Sequence, residues 1–142
     1  MQRKIKHKPG QNHDIEVNKK KGDTPRHIVV VSDIHVGCQL GLCPPEGAAV
    51  AEGGFYQSSK FQKKMYGLWE EFWNVHVPTI TEGEDYDIVV NGEFIDGVHH
   101  NSTTQWSHNL NDQARAAVEL FKPIVAKCPG NFYAIRGSEA HC

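Results

Sequence analysis

Ile28-Val29-Val30-Val31-Ser32-Asp33-Ile34-His35-Val36-Gly37 is an apolar run that ends in a carboxylate and an imidazole two residues apart. Four consecutive β-branched residues predict a strand buried on both faces, as in a parallel sheet covered by helices. Side chains two apart on a strand share a face, so Asp33 and His35 are expected to point the same way from its carboxyl end. In open α/β sheets that end is where ligands bind. An oxygen donor beside an imidazole nitrogen suits a divalent transition metal such as Mn, Fe, Co, Ni or Zn. Alone, Asp-x-His fits equally an aspartate that caps the turn after the strand.

Two later stretches repeat the pattern. Tyr86-Asp87-Ile88-Val89-Val90-Asn91-Gly92 predicts a second short buried strand running into a Gly turn, with Glu93 and Asp96 directly beyond it. Asn131-Phe132-Tyr133-Ala134-Ile135-Arg136-Gly137 predicts a third, followed by Ser138, Glu139 and His141. In a parallel sheet Glu93 and Asp96 arrive at the same edge as Asp33 and His35. His99, His100 and Asn101 follow on a loop beside these candidates.

Two amphipathic helices separate the strands. Over 58–77, Phe61, Met65, Leu68, Trp69, Phe72 and His76 or Trp73 recur at intervals of three and four and are expected to face the core. Lys63, Lys64, Glu70 and Glu71 fall mostly on the other side, and Pro78 is expected to close the helix. Over 109–127 the expected buried stripe is Leu110, Ala114, Val118, Phe121 and Val125, with Pro123 kinking the helix or ending it early. The order is βαβαβ, with a polar cluster after every strand. The connection 37–54 holds five glycines and Pro44-Pro45; it is long for an unstructured link and is expected to be functional.

Length and composition set the frame. A chain of 142 residues, 39% hydrophobic and 23% charged, is expected to fold as one globular domain. It has no apolar run approaching the roughly 18 residues of a membrane span and no secretory signal, so a cytoplasmic location is the default. Cys38, Cys43, Cys128 and Cys142 form neither a Cys-x-x-Cys pair nor a zinc-finger spacing. They read as reduced thiols, with Cys38 and Cys43 a weak metal pair. Charge divides unevenly: residues 1–26 carry eight Lys or Arg against three acids, +5, and the rest seven against fourteen, −7. Residues 1–25 are therefore read as a basic, disordered leader with a nucleic-acid arm as the other reading, and 26–142 as the domain. An acidic body that handles a phosphate ester needs metal ions to invert its local field.

The three polar strand ends resemble those of the calcineurin-like metallophosphoesterases, whose pattern is Asp-x-His, then Gly-Asp-x-x-Asp, then Gly-Asn-His-Glu or Asp. Ser32-Asp33-Ile34-His35 matches the first motif. Asn91-Gly92-Glu93-Phe94-Ile95-Asp96-Gly97 matches the second, with Glu93 where the family has its metal-bridging Asp. Arg136-Gly137-Ser138-Glu139-Ala140-His141 stands in the place of the third, with Ser138 for the Asn ligand and Glu139 for the following His. It is similar to an Arg-Gly-Thr-Glu-Ala-His variant carried by bacteriophage proteins of this type.

The resemblance implies the first half of an α/β/β/α sandwich that hydrolyses phosphoesters (a phosphomonoesterase, phosphodiesterase or nuclease) with two divalent ions, Mn favoured. Asp33 and His35 would bind the first ion, Glu93 would bridge, Asp96 would support the second motif within the metal set, and Glu139 would belong to that set. His141 would protonate the leaving oxygen or bind a metal. The family continues with a second half-sheet and a Gly-His-x-His segment, so a missing carboxyl-terminal half is expected to be required, and this stretch alone to be weak. A non-catalytic metal- or phosphate-binding module is the alternative.

Overall fold

The computed structural model describes residues 27–51, 53–98 and 103–138. The leader 1–25, and with it the nucleic-acid arm, lies outside the described residues, as do His99, His100, Asn101, Glu139 and His141. Strands β1 (His27–Val31), β4 (Tyr86–Asn91) and β5 (Phe132–Ile135) form a parallel sheet in the order β1-β4-β5. Val29 stands beside Ile88, and Ile88 beside Phe132. The first crossover carries α1 (Lys60–Glu71), a π turn (Phe72–His76) and α2 (Val77–Thr81); the second carries α3 (Leu110–Lys127). The chain is thus of the α/β class. No helix among the described residues is long and apolar enough to cross a membrane.

Both crossovers cover one face of the sheet. Strands added in one direction by crossovers of the same hand set their helices on the same side. Val31, Ile88, Val90 and Phe132 therefore pack with Trp69, Trp73, Ala117, Leu120, Phe121 and Ile124. The opposite face is open, with Ile28 64%, Val30 58% and Ile135 52% exposed. This corrects the expectation of a strand buried on both sides: β1 alternates, and its β-branched run serves strand propensity on one face and burial on the other.

Each long helix is turned by one residue from the face its periodicity suggests. In α1 and the π turn Trp69 and Trp73 face the sheet as expected, but the other inward positions are Gln62 and Tyr66, while Phe61, Met65 and Leu68, also expected inward, face outward. In α3 the inward positions are Gln113, Ala116, Ala117, Leu120, Phe121 and Ile124, and Leu110, Val118 and Val125 face outward. One residue is about 100° of helix rotation, and in each case a buried glutamine has set it. Gln62 Nε2 donates to the carbonyls of Cys38 and Gly41 at 3.2 and 3.4 Å, and its Oε1 accepts from the Tyr56 hydroxyl at 2.8 Å. Satisfying buried carbonyls outweighs the burial of one more aliphatic side chain.

Neither proline stops its helix. The Val77 N–H reaches back five residues to the Phe72 carbonyl, and this widened turn places Pro78 in the first turn of α2, where its missing N–H is not needed. Pro123 lies within α3, which continues to Lys127; both it and Glu119, four residues before, are exposed residues.

The connection after His35 contains a small hairpin, β2 (Ala48–Ala49) with β3 (Phe55–Tyr56), tied to the start of α3 through Asp112. The Ala51 N–H donates to both Asp112 oxygens at 3.1 and 3.2 Å, the Ser107 hydroxyl donates at 2.8 Å, and Arg115 closes the cluster. Burial pushes this carboxyl up, but the Ser107, Ala51 and Arg115 hydrogen bonds outweigh it and hold Asp112 below its ordinary 3.8. A carboxyl with a lowered folded pKa stabilises the fold above its unfolded value, and this is lost as pH falls through the folded value. Urea unfolding followed against pH is expected to show stability dropping below about pH 4, with a shallower drop in Asp112→Asn. An identical acid limb in the variant would remove Asp112 as its source.

Candidate metal centre

The sheet sets the site. Beyond β1 and β4 the two chains stay paired: the Ile34 and His35 N–H groups both donate to the Glu93 carbonyl at 3.1 and 2.9 Å, Val36 N–H donates to Phe94 O at 3.2 Å, and Asp96 N–H to Val36 O at 2.8 Å. Within this stitched edge Asp33, His35 and Glu93 have left-handed backbone, with φ of 55°, 48° and 50°. Non-glycine residues rarely adopt that conformation, which costs on the order of 1–3 kcal/mol each and gathers at functional sites. Three of the four described candidate ligands thus hold strained backbone at the carboxyl ends of neighbouring parallel strands.

Asp33 and His35 face one another. Asp33 Oδ1 lies 3.9 Å from His35 Nε2, and the Asp33 side chain is 70% exposed. Two ligands each about 2.1 Å from one ion stand roughly 3 to 4 Å apart, so this pair has the spacing of two donors to a single metal. On its other side the His35 ring meets Asp96, Nδ1 to Oδ1 at 3.1 Å. A carboxylate only accepts, so Nδ1 is the donor to Asp96, and Nε2 is the ring nitrogen on the Asp33 side. This is the carboxylate–histidine pairing that orients imidazole ligands and raises their basicity.

Asp96 is buried, and its second oxygen accepts from Gln105 Nε2 at 2.5 Å. With both oxygens engaged by protein donors, Asp96 is placed to orient His35. Glu93 is half-buried, and its Oε1 accepts the Ser138 N–H at 3.2 Å, which brings the third strand's end to the same edge. Among the described residues, no group of three or more His, Cys, Asp or Glu side chains is arranged to hold an ion. The donors present fit one ion through Asp33 and His35. Cys38 and Cys43 do not join them: burial pushes the Cys43 thiol up, and its sulfur accepts the Ser58 hydroxyl at 3.2 Å.

Gln105 and Gln113 escaped the sequence reading, because nothing in their local pattern distinguishes them from surface polar residues. Gln113 is fully buried; its Nε2 donates to Gly97 O and Ser107 O at 3.0 and 2.8 Å, and its Oε1 accepts the Gly97 N–H at 2.9 Å. It fixes the residue next to Asp96. Gly37 makes room for it: with φ of +113°, a Cβ there would meet the Gln113 side chain at 2.4 Å. No family model, no curated protein and no solved structure matches this chain.

Proposed function

We propose that this edge is a divalent-metal site for phosphoester hydrolysis, of the calcineurin-like metallophosphoesterase kind. The observation that carries the reading is the left-handed backbone shared by Asp33, His35 and Glu93 at adjacent strand ends. In this reading Asp33 and His35 hold an ion, Asp96 keeps the His35 Nε2 lone pair outward, and Gln105 holds Asp96. The Glu93 carbonyl locks the two turns together, and its carboxylate, one methylene longer than the family's Asp, faces the third motif. His141 is the proposed proton donor to the leaving oxygen. Bound divalent ions, Mn favoured and two by the resemblance, would supply the Lewis acidity that clamps a phosphate and acidifies water. The basic leader suits a nucleic-acid phosphodiester among the possible substrates.

A second reading, a metal- or phosphate-binding module without turnover, is favoured by Glu93 and Ser138, which stand where the family has its bridging Asp and its Asn ligand. Calorimetric Mn(II) titration together with hydrolysis of bis-p-nitrophenyl phosphate separates the two, with wild type compared to Asp33→Gly. Enzyme function predicts slow but Mn(II)-dependent release of nitrophenol by this stretch, and a further drop of about a hundredfold in the variant. Metal-free Asp33→Gly should meanwhile be more stable by about 1 kcal/mol, since glycine relieves the left-handed strain. Binding without turnover favours the module, and absence of Mn(II) binding by the wild type overturns both metal readings.

A further inference from the structure

A groove between the two long helices contains none of the candidate metal ligands. It lies where α1 and the π turn pass α3, and it holds about 150 Å³. Trp73, Leu120 and Ile124 are buried and form its floor, while Glu70 and Lys127 are exposed and form its rim. An engineered apolar cavity of about 150 Å³ takes one benzene, so the space is that of a single aromatic ring.

Trp73 gives the groove a polar demand. The residue is 8% exposed, and its indole N–H is buried with no hydrogen-bond partner among the described residues. Buried indole N–H groups usually have a partner. The ring is not free to turn toward one, because it packs edge-on with both Trp69 and Phe72, centroids 5.4 and 5.0 Å apart. Trp73 is also the second residue of the π turn, a distortion frequent at functional positions.

Charge distinguishes the two ends of the groove. Trp69 meets Phe121 edge-on at 5.2 Å, and Trp73 clusters with Ile124, so the two helices run in step. Lys127, one turn beyond Ile124, therefore stands at the Trp73 end, and its ammonium has no ion pair among the described residues. Glu70 stands a turn before Trp73, toward Tyr66. Burial, and then the Glu70 carboxylate beside it, push the Tyr66 hydroxyl up, so Glu70 has a neutral phenol for its neighbour. The end that holds the unpaired N–H thus offers a hydrogen-bond donor and a positive charge, which is the demand a carboxylate meets.

We propose that this groove binds a small aromatic carboxylate, its ring between Trp69, Leu120 and Ile124 and its carboxylate accepting the Trp73 N–H beside the Lys127 ammonium. Benzoate is the probe, and the full chain in metal-free buffer keeps its carboxylate from any ion at Asp33 and His35. Titrated to about 20 mM, benzoate is expected to bind with a Kd on the order of 1 mM and to move the Trp73 indole N–H proton resonance downfield, as a new hydrogen bond requires. Benzamide keeps the ring and an oxygen acceptor without the charge and should bind about fivefold more weakly. Lys127→Gln should bring benzoate to the benzamide value and leave benzamide unchanged. Trp73→Phe keeps an aromatic ring in the floor but removes the donor, and should weaken both probes about tenfold. The wild-type resonance and the exposed Lys127 carry the test should Trp73→Phe fail to fold. An unmoved Trp73 resonance, which would leave the groove to water or to a side chain of another protein, overturns the proposal. So does equal affinity for benzoate and benzamide, or benzoate binding that Lys127→Gln leaves unchanged.

Discussion

Gln113→Leu is expected to destabilise the fold by about 4 kcal/mol and to lower Tm by on the order of 15 °C. Leucine is similar in volume, so the loss is one of hydrogen bonding. It leaves the Gly97 N–H, the Gly97 carbonyl and the Ser107 carbonyl without the side chain that serves them now. A buried polar group stripped of its partner costs about 1–3 kcal/mol, and the added apolar burial offsets only part of three such losses. Because Gly97 adjoins Asp96, Mn(II) affinity should fall in the same variant. Urea denaturation measures the first effect and calorimetry the second. A change in stability under about 1 kcal/mol would mean that water enters to replace the glutamine.

Gly41→Ala is expected to be as severe, by a steric route. The added Cβ would stand 2.0 Å from the His35 carbonyl oxygen, 2.7 Å from its carbon and 3.0 Å from the Ile34 oxygen. These are backbone atoms and have no rotamer with which to withdraw. They are also held in place: Cys38 N–H donates to His35 O at 3.0 Å, and Leu42 N–H to Ile34 O at 3.0 Å. Either the loop leaves the strand end, which forfeits those bonds at about 3 kcal/mol or more, or His35 shifts and the ligand pair is lost. A joint measurement of Tm and Mn(II) affinity shows which. Wild-type values for both would contradict the close approach of the loop to His35.

The same residues show what was legible in the chain and what was not. Strand and helix existence follow from local pattern, so β1, β4, β5 and both long helices stand where short apolar runs and three-and-four spacings put them. The polar strand ends were legible for the same reason: an apolar run that stops in a polar residue marks the end of a strand, and parallel pairing brings such ends together. Asp33, His35, Glu93 and Asp96 accordingly share one edge. Glu139 and His141, chosen by the same reasoning, lie outside the described residues.

Helix rotation was not legible. Trp69 and Trp73 were read as core and are, but Phe61, Met65 and Leu68 continue their stripe as well as Gln62 and Tyr66 do, and periodicity cannot choose between positions one residue apart. The choice fell to Gln62 and Gln113, whose amides serve carbonyls at Cys38, Gly41, Gly97 and Ser107 that only the folded loops bring near. Nor does the sequence reveal that Asp96 faces His35 and Gln105, or that Asp33, His35 and Glu93 hold left-handed backbone. By itself it determined the order of the elements and the residues at their ends. Tertiary structure decided which helix face is buried, which sheet face stays open and which partner each carboxylate takes, because buried hydrogen bonds between distant segments have no local signature.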